Sequence, residues 1–291
     1  MTLNSMQYPA LYESASSGSD KSQRWFLWAI RSEYLLLFFI SSISATRNHI
    51  SNHELILTIS ILILSAIFVC KSFKKLDQDW YRCRALAESI KTTTWRFSMR
   101  AHPFEDAENI DIPKAHFRNL LKDILRTNKG ITAKLSALNQ DQVTASMIIL
   151  RNLNVKERLG FYVKNRIDDQ RRWYIRKSAH NKKAMNIWIL LMTFIYFLAI
   201  LSINSNFFGF TFASYAFDPL IVIITSLIGW IQIKRHSELT ASYNLTAHEI
   251  GIIHGKAESV KTEMDLSDFV NEAELAFSRE HTQWVARRDA N

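Results

Sequence analysis

Apolar residues gather along this chain in four runs, and the length of each run limits what it can form. Residues 34–46, YLLLFFISSISAT, and 55–70, LILTISILILSAIFVC, flank a polar loop, RNHISNHE, and read as a helical hairpin. Each falls short of the roughly 20 residues that cross a bilayer, so the first must extend back through Trp25, Phe26, Leu27 and Trp28. That extension brings Arg31 and Glu33 to the inner face, where Arg31 can snorkel to headgroups. Residues 184–203, AMNIWILLMTFIYFLAILSI, are long enough to span alone. Residues 219–233, PLIVIITSLIGWIQI, make the fourth span after an uncharged aromatic link, and Pro219 suits a helix start.

Between the spans the spacing is helical. Positions 76, 83, 90 and 97 hold Leu, Cys, Ile and Phe, with Trp80 and Ala87 interleaved, while Arg84, Glu88 and Lys91 fall off that seam. Residues 80–100 therefore predict a solvated helix with one buried stripe. Ile112, Phe117, Leu120, Leu121, Ile124 and Leu125 predict a second amphipathic helix, capped by Asp111, with Pro113 in its first turn and Gly130 at its end. Residues 140–183 read as one approach helix. A last helix from near Ser267 buries Val270, Ala273, Phe277 and Trp284. The first twenty residues, with Pro9 and SASSGSD, read as a turn-rich lead-in to a helix beginning near Ser22, and contain no secretory signal. No period-two alternation followed by turn dipeptides appears, so the expected fold is all-α: an integral membrane protein with four transmembrane helices in two hairpins and a cytosolic helical bundle.

Charge orients this arrangement. The chain of 291 residues carries a net +9, and its mean hydropathy near zero describes no part of it. Both short loops are almost free of Lys and Arg, whereas residues 71–75 and 171–183 are strongly basic, which by the positive-inside rule puts both termini and the middle in the cytoplasm. Residues 71–183 hold 25 basic and 12 acidic side chains, and residues 234–291 hold 7 and 10. The two portions thus have opposite signs and invite docking on each other. Inner-leaflet electrostatics accounts for the basic middle, and Trp95, Phe97 and Phe161 fit packed stripes rather than a nucleic-acid stacking platform, so no nucleic acid is expected. Cys70 and Cys83 lie on the reducing side and predict no disulfide.

The chain also repeats one plan: a basic aromatic approach helix, a hairpin, then a long polar helix. Ser22, Gln23, Arg24, Trp25 and Phe26 match Asp169, Gln170, Arg172, Trp173 and Tyr174 in kind, and ALAESI after the first hairpin matches LTAHEI after the second. The repeat divides the chain into residues 1–130 (hairpin 25–70, helices 71–128) and 131–291 (approach helix 140–183, hairpin 184–233, helices 234–288).

RALAESIKTTTW, with YPALYESAS before it, resembles one subtype of the SLATT family, the SMODS and SLOG-associating two-transmembrane effector domains. ERLGFYVKNRIDDQRRWYIRKSAHNKKA, YNLTAHEI and SREHTQW resemble another subtype. The resemblance implies a membrane effector of bacterial conflict or antiphage systems that breaches the inner membrane on a nucleotide or partner signal. No nucleotide-sensing domain is attached, so the trigger acts on the helices directly or through a partner protein.

Candidate chemistry is sparse. His49 and His53, with Glu54 beside them, offer too few metal ligands, and a polar hairpin tip explains them better. No nucleophile–base pair, phosphate loop or metal cluster is visible, so neither catalysis nor a cofactor is expected. Ser41, Ser44, Thr58, Ser65, Thr225, Gly229 and Gln232 are the candidate pore-lining residues, the last three sharing a helix face at i, i+4 and i+7. Four helices enclose little space, so a pore requires a homo-oligomer. The candidates for coupling or assembly are Trp80, Arg84, Glu88, Trp95, Gln170, Trp173, Glu249, Glu280, His281 and Trp284, with Glu280 placed to dock on the basic middle. The competing expectation is a non-conducting anchor that recruits cytosolic partners.

Overall fold

The computed structural model describes residues 5–106, 109–205, 207, 209 and 215–289, with side chains to residue 278. Every regular element among them is helical: α1 (Ala10–Ala45), α2 (His53–Lys74), α3 (Leu76–Ser98), α4 (Asp111–Thr127), α5 (Lys129–Thr132), α6 (Ala145–Arg151), α7 (Val155–Tyr162), a π turn (Val163–Ile167), α8 (Asp168–Ile203), α9 (Phe217–Lys234), α10 (His236–Gly255) and α11 (Glu263–Asp289). Four helical stretches are long and apolar enough to cross a membrane, one from each apolar run. The chain forms two compact units. The first comprises Met1–Ser22, Asp77–Lys177 and Ser242–Asn291, the second Gln23–Leu76 and Ser178–Ala241, so each draws on both halves of the sequence repeat.

The first unit is built on α3. Its seam residues Cys83, Ala87, Ile90 and Phe97 are buried, but so are Leu86, Thr92, Thr93, Thr94, Trp95 and Ser98. The expected single stripe holds only for the first half of this helix. Its last turns, residues 92–98, are buried almost all round, with only Arg96 half-buried, and the threonines tolerate this because Thr93 and Thr94 donate to the Ser89 and Ile90 carbonyls one turn back. Phe117 and Leu121 of α4, Met147 and Leu150 of α6, and Leu266, Phe269, Val270 and Ala273 of α11 complete the core.

Several expectations about the polar segments are corrected. The lead-in is helical from Ala10, not from near Ser22, and its small residues serve packing: Ser14, Ala15 and Ser19 are buried. A β-carbon at Gly18 would stand 2.9 Å from Leu135 and 3.2 Å from the Cys83 sulfur, so only glycine fits without movement. Asp111 is inside α4 rather than capping it, with its N–H donating to the Asn109 side chain, and Ile112 is 56% exposed because it lies off the Phe117–Leu121 face. That helix stops at Thr127, ahead of Gly130. The single approach helix is broken: Asn154 and Glu157 form a reciprocal capping box that starts α7 afresh. The final helix starts at Glu263, four residues before Ser267, because Thr262 and Asp265 cap it reciprocally.

In the second unit a small apolar cluster of Ile195, Ala199 and Ile224 joins α8 to α9. Gly229 of α9 admits Tyr34 of α1, whose hydroxyl oxygen lies 2.5 Å from where a β-carbon would stand. Glu33 pairs with Lys71 at 2.5 Å, and Trp230 carries both the Arg31 guanidinium and the Lys234 ammonium over its ring at 5.2 and 5.0 Å. Most large apolar side chains of the spans face outward, including Leu62, Leu190 and Ile200, each more than 60% exposed. Such a surface calls for lipid or for other apolar helices.

Candidate functional site

The carboxylate of Glu274 is fully enclosed in the first unit, 0% exposed on α11 among Val270, Ala273, Phe277 and Ala276. An ionised carboxylate in such a place needs its acceptor sites filled. Glu274 accepts four hydrogen bonds. Arg166 donates from Nε to Oε1 at 2.8 Å and from Nη2 to Oε2 at 2.7 Å, a bidentate pair. The Tyr162 hydroxyl donates to Oε1 at 2.9 Å, and the Thr92 hydroxyl to Oε2 at 2.9 Å.

Local backbone structure aims these donors. Arg166 stands in the π turn between α7 and α8, a local widening of helical pairing that recurs at functional positions. Its guanidinium also lies 4.4 Å from the Phe277 ring centre. Thr92 stands in the buried last turns of α3. Nearby, Trp95 donates from its indole nitrogen to the Tyr8 hydroxyl at 3.0 Å, tying the first residues of the chain to the same core. Burial lowers the arginine's basicity, but the Glu274 charge and its hydrogen bonds outweigh that and hold Arg166 more firmly protonated than usual. Burial and then the Glu274 charge push Tyr162 well above the ordinary phenol range, so it stays a donor. Lys91 is pulled down, first by burial and then by the Arg166 charge.

A second cluster closes the carboxyl end of α3, where unpaired carbonyls attract cations. Arg151 donates to the Phe97 carbonyl and Arg158 to the Met99 carbonyl, both at 2.7 Å, and both arginines are at most 1% exposed. Asp106 pairs with Arg100 at 2.5 Å and with Arg151 at 3.3 Å, and Glu263 pairs with Arg158. Burial brings Arg151 down to about 10, against the pull of Asp106. Beside this cluster is a cavity of about 460 Å³, where Glu105, Asp106, Glu263 and Asp268 outnumber Arg100 and His102. Among the described residues no group of three or more His, Cys, Asp or Glu has the arrangement of a metal site.

Of the residues the sequence pointed to, Trp95 is in the core beside the clamp. Trp80 stacks on Tyr81 at 4.4 Å, half-buried, and Arg84 and Glu88 are half-buried on the same helix. Trp173 meets Tyr174 and Tyr243 edge-on, while Gln170 and Glu249 are half-buried. The side chains of Glu280, His281 and Trp284 lie outside the described residues. Thr58, Ser44, Ser65, Thr225 and Gln232 are exposed and Ser41 half-buried. The Thr58 and Thr225 hydroxyls donate to the Glu54 and Ile221 carbonyls of their own helices. Gly229 is taken up by Tyr34.

Sequence reasoning missed Glu274, Arg166, Arg151 and Arg158. The available signal was position: Glu274 is four residues after Val270 and three before Phe277, on the apolar seam of its own helix.

Comparison with protein families places residues 9–159 in the SMODS and SLOG-associating 2TM effector domain 3 and residues 162–284 in the SMODS and SLOG-associating 2TM effector domain 1. Searches of curated proteins and of solved structures gave no match. Such domains are two-transmembrane effector domains linked to conflict systems, and two of them account for four membrane-spanning helices in one chain. Thr92 belongs to the first matched region and Tyr162, Arg166 and Glu274 to the second, so one carboxylate joins the two. The chain therefore belongs to the SLATT family and carries two different SLATT domains in tandem.

Proposed function

We propose that this protein is a membrane effector of a bacterial antiphage or conflict system, which assembles as a homo-oligomer and opens a pore in the inner membrane when a nucleotide or a partner protein acts on its polar helices. In this reading both termini and the polar helices are cytoplasmic, as the basic flanks of the spans favour, and no catalytic step is involved. The observation that carries it is the buried clamp Arg166–Glu274, with Tyr162 and Thr92, which closes the two family domains on each other.

A closed ion pair of this kind has two discrete conditions. Intact, the carboxylate accepts four hydrogen bonds and leaves only Nη1 of Arg166 without a partner; with one member of the pair withdrawn, it leaves a buried charge, at a cost of about 3–5 kcal/mol. A trigger that offsets this cost shifts the population from one arrangement to the other. The outward apolar faces of the spans supply the surface for neighbouring subunits and lipid.

The test is inducible expression in a bacterium carrying a membrane-potential dye, with the genomic partner supplied. Depolarisation on activation is the expected result. Potential and growth that survive full activation would exclude a pore.

A non-conducting anchor is the second reading, favoured by one observation: Thr58 and Thr225 satisfy their hydroxyls within their own helices and need no water. Thr225→Leu with Gln232→Leu separates the two readings, because an anchor tolerates both changes and a pore lined there loses conductance.

A further inference from the structure

Both hairpins end in the same way. α2 closes at Lys74 and α9 at Lys234, and the next residue in each is basic with a left-handed backbone: Lys75 at φ 46° and Arg235 at φ 48°. Each N–H still reaches a carbonyl four residues back, Lys71 at 3.2 Å and Ile231 at 2.9 Å. A new right-handed helix then starts at once, at Leu76 and at His236. Arg100, also left-handed, closes α3, but there the chain leaves helical structure. At Lys75 and Arg235 helical structure is interrupted and not ended.

Residues with a β-carbon avoid this conformation, which glycine and, less often, asparagine adopt freely. The two domains are of different subtypes, yet both put a long cationic residue where the backbone would prefer glycine. The side chain has its own reason to be there, since a cation just past an apolar span reaches the headgroups. The backbone cost remains, and it has been met twice at equivalent places. A flip of this one residue into the right-handed region would join α2 to α3, and α9 to α10, as unbroken helices.

We propose that Lys75 and Arg235 are paired hinge joints, each switching its hairpin between a broken and a continuous helix, with the strained residue holding the broken form ready to straighten. The purpose of the switch rests on the membrane-effector reading. Its existence does not.

The test uses full-length protein in lipid nanodiscs, in a background with Cys70→Ser and Cys83→Ser, and with nitroxide pairs at the exposed positions Leu62 and Arg82 (each changed to Cys). A continuous helix would put their backbones about 30 Å apart, and a broken one brings them closer. Lys75→Gly, Lys75→Asn and Lys75→Ile all remove the same charge, so differences among them report the backbone alone. The isoleucine variant should raise the ratio of long to short distances at least fivefold over the glycine and asparagine variants, which should keep the short distance. Labels at Ile221 and Leu245 should report the same order for the Arg235 variants. Should an isoleucine variant not fold, glycine must still raise the unfolding midpoint above that of the parent, because it relieves the strain.

Equal distributions for all three substitutions, with no gain in midpoint from glycine, would overturn the hinge. A response at one joint alone would overturn the pairing. A chain that switches at both joints and never depolarises a membrane would remove the effector reading and leave the hinge standing.

Discussion

The two compact units solve opposite problems. In the first, charged groups are driven inside: Arg151, Arg158, Arg166 and Glu274 are each at most 1% exposed, and each is held by named partners. In the second, large apolar groups are driven outside, with Leu190 at 72% and Leu62 at 64% exposed. Apolar packing is tolerant of sliding, whereas a bidentate ion pair with four filled acceptor sites has one geometry. The first unit is thus built to hold one arrangement or to lose it as a whole. The second is built to meet a solvent of its own kind, and close approaches such as Gly229 against Tyr34 provide its internal specificity.

The sharpest way to break this contrast is at the clamp. Glu274→Ala leaves Arg166 charged and buried, and should lower stability by about 3–5 kcal/mol in detergent unfolding, while the double change Arg166→Met with Glu274→Leu should recover most of the loss. Thr92→Val removes one of the four hydrogen bonds to the carboxylate and should cost about 1.5 kcal/mol by the same measurement. In the second unit, Gly229→Ala should cost about 1 kcal/mol through crowding against the Tyr34 hydroxyl, and Tyr34→Phe should relieve it. If Tyr34→Phe gives no relief, the close approach is not what glycine is there for.

The smallest effect is a pH dependence in the first unit. Burial, and then the Asp79 charge, raise the Cys83 thiol from its ordinary 9.0 to about 11. The folded state therefore holds this proton more tightly than the unfolded one. The resulting stability is complete below about pH 9 and is lost as pH rises toward 11, and Cys83→Ala should remove this dependence. Iodoacetamide at pH 8, followed by mass spectrometry, should modify exposed Cys70 well before Cys83.

The spans were legible in the sequence because an apolar run of sufficient length has few alternatives. The seam Cys83–Ile90–Phe97 was legible for the same reason of period. The helix from Ala10 was not, because serine, glycine and alanine look the same in a flexible lead-in and in a tightly packed helix, and only the neighbours Cys83 and Leu135 decide between them. Nor was Glu274 legible as buried: a glutamate beside alanines on a helix normally faces water, and its burial depends on Arg166, 108 residues away in the chain. Glu88, prominent in the sequence between basic residues, is half-buried on α3, whereas the carboxylate that joins the two family domains is on α11.

In the proposed function, the Arg166–Glu274 clamp holds a membrane-breaching assembly closed. This is tested most directly by ion flux from liposomes of anionic lipid, reconstituted with equal amounts of the parent protein and of the Glu274→Gln variant. Tight vesicles are expected with the parent, and leak without any trigger from the variant, at matched incorporation. Vesicles that stay equally tight with both proteins, when the variant is shown to have lost the clamp by its lowered unfolding midpoint, would contradict it.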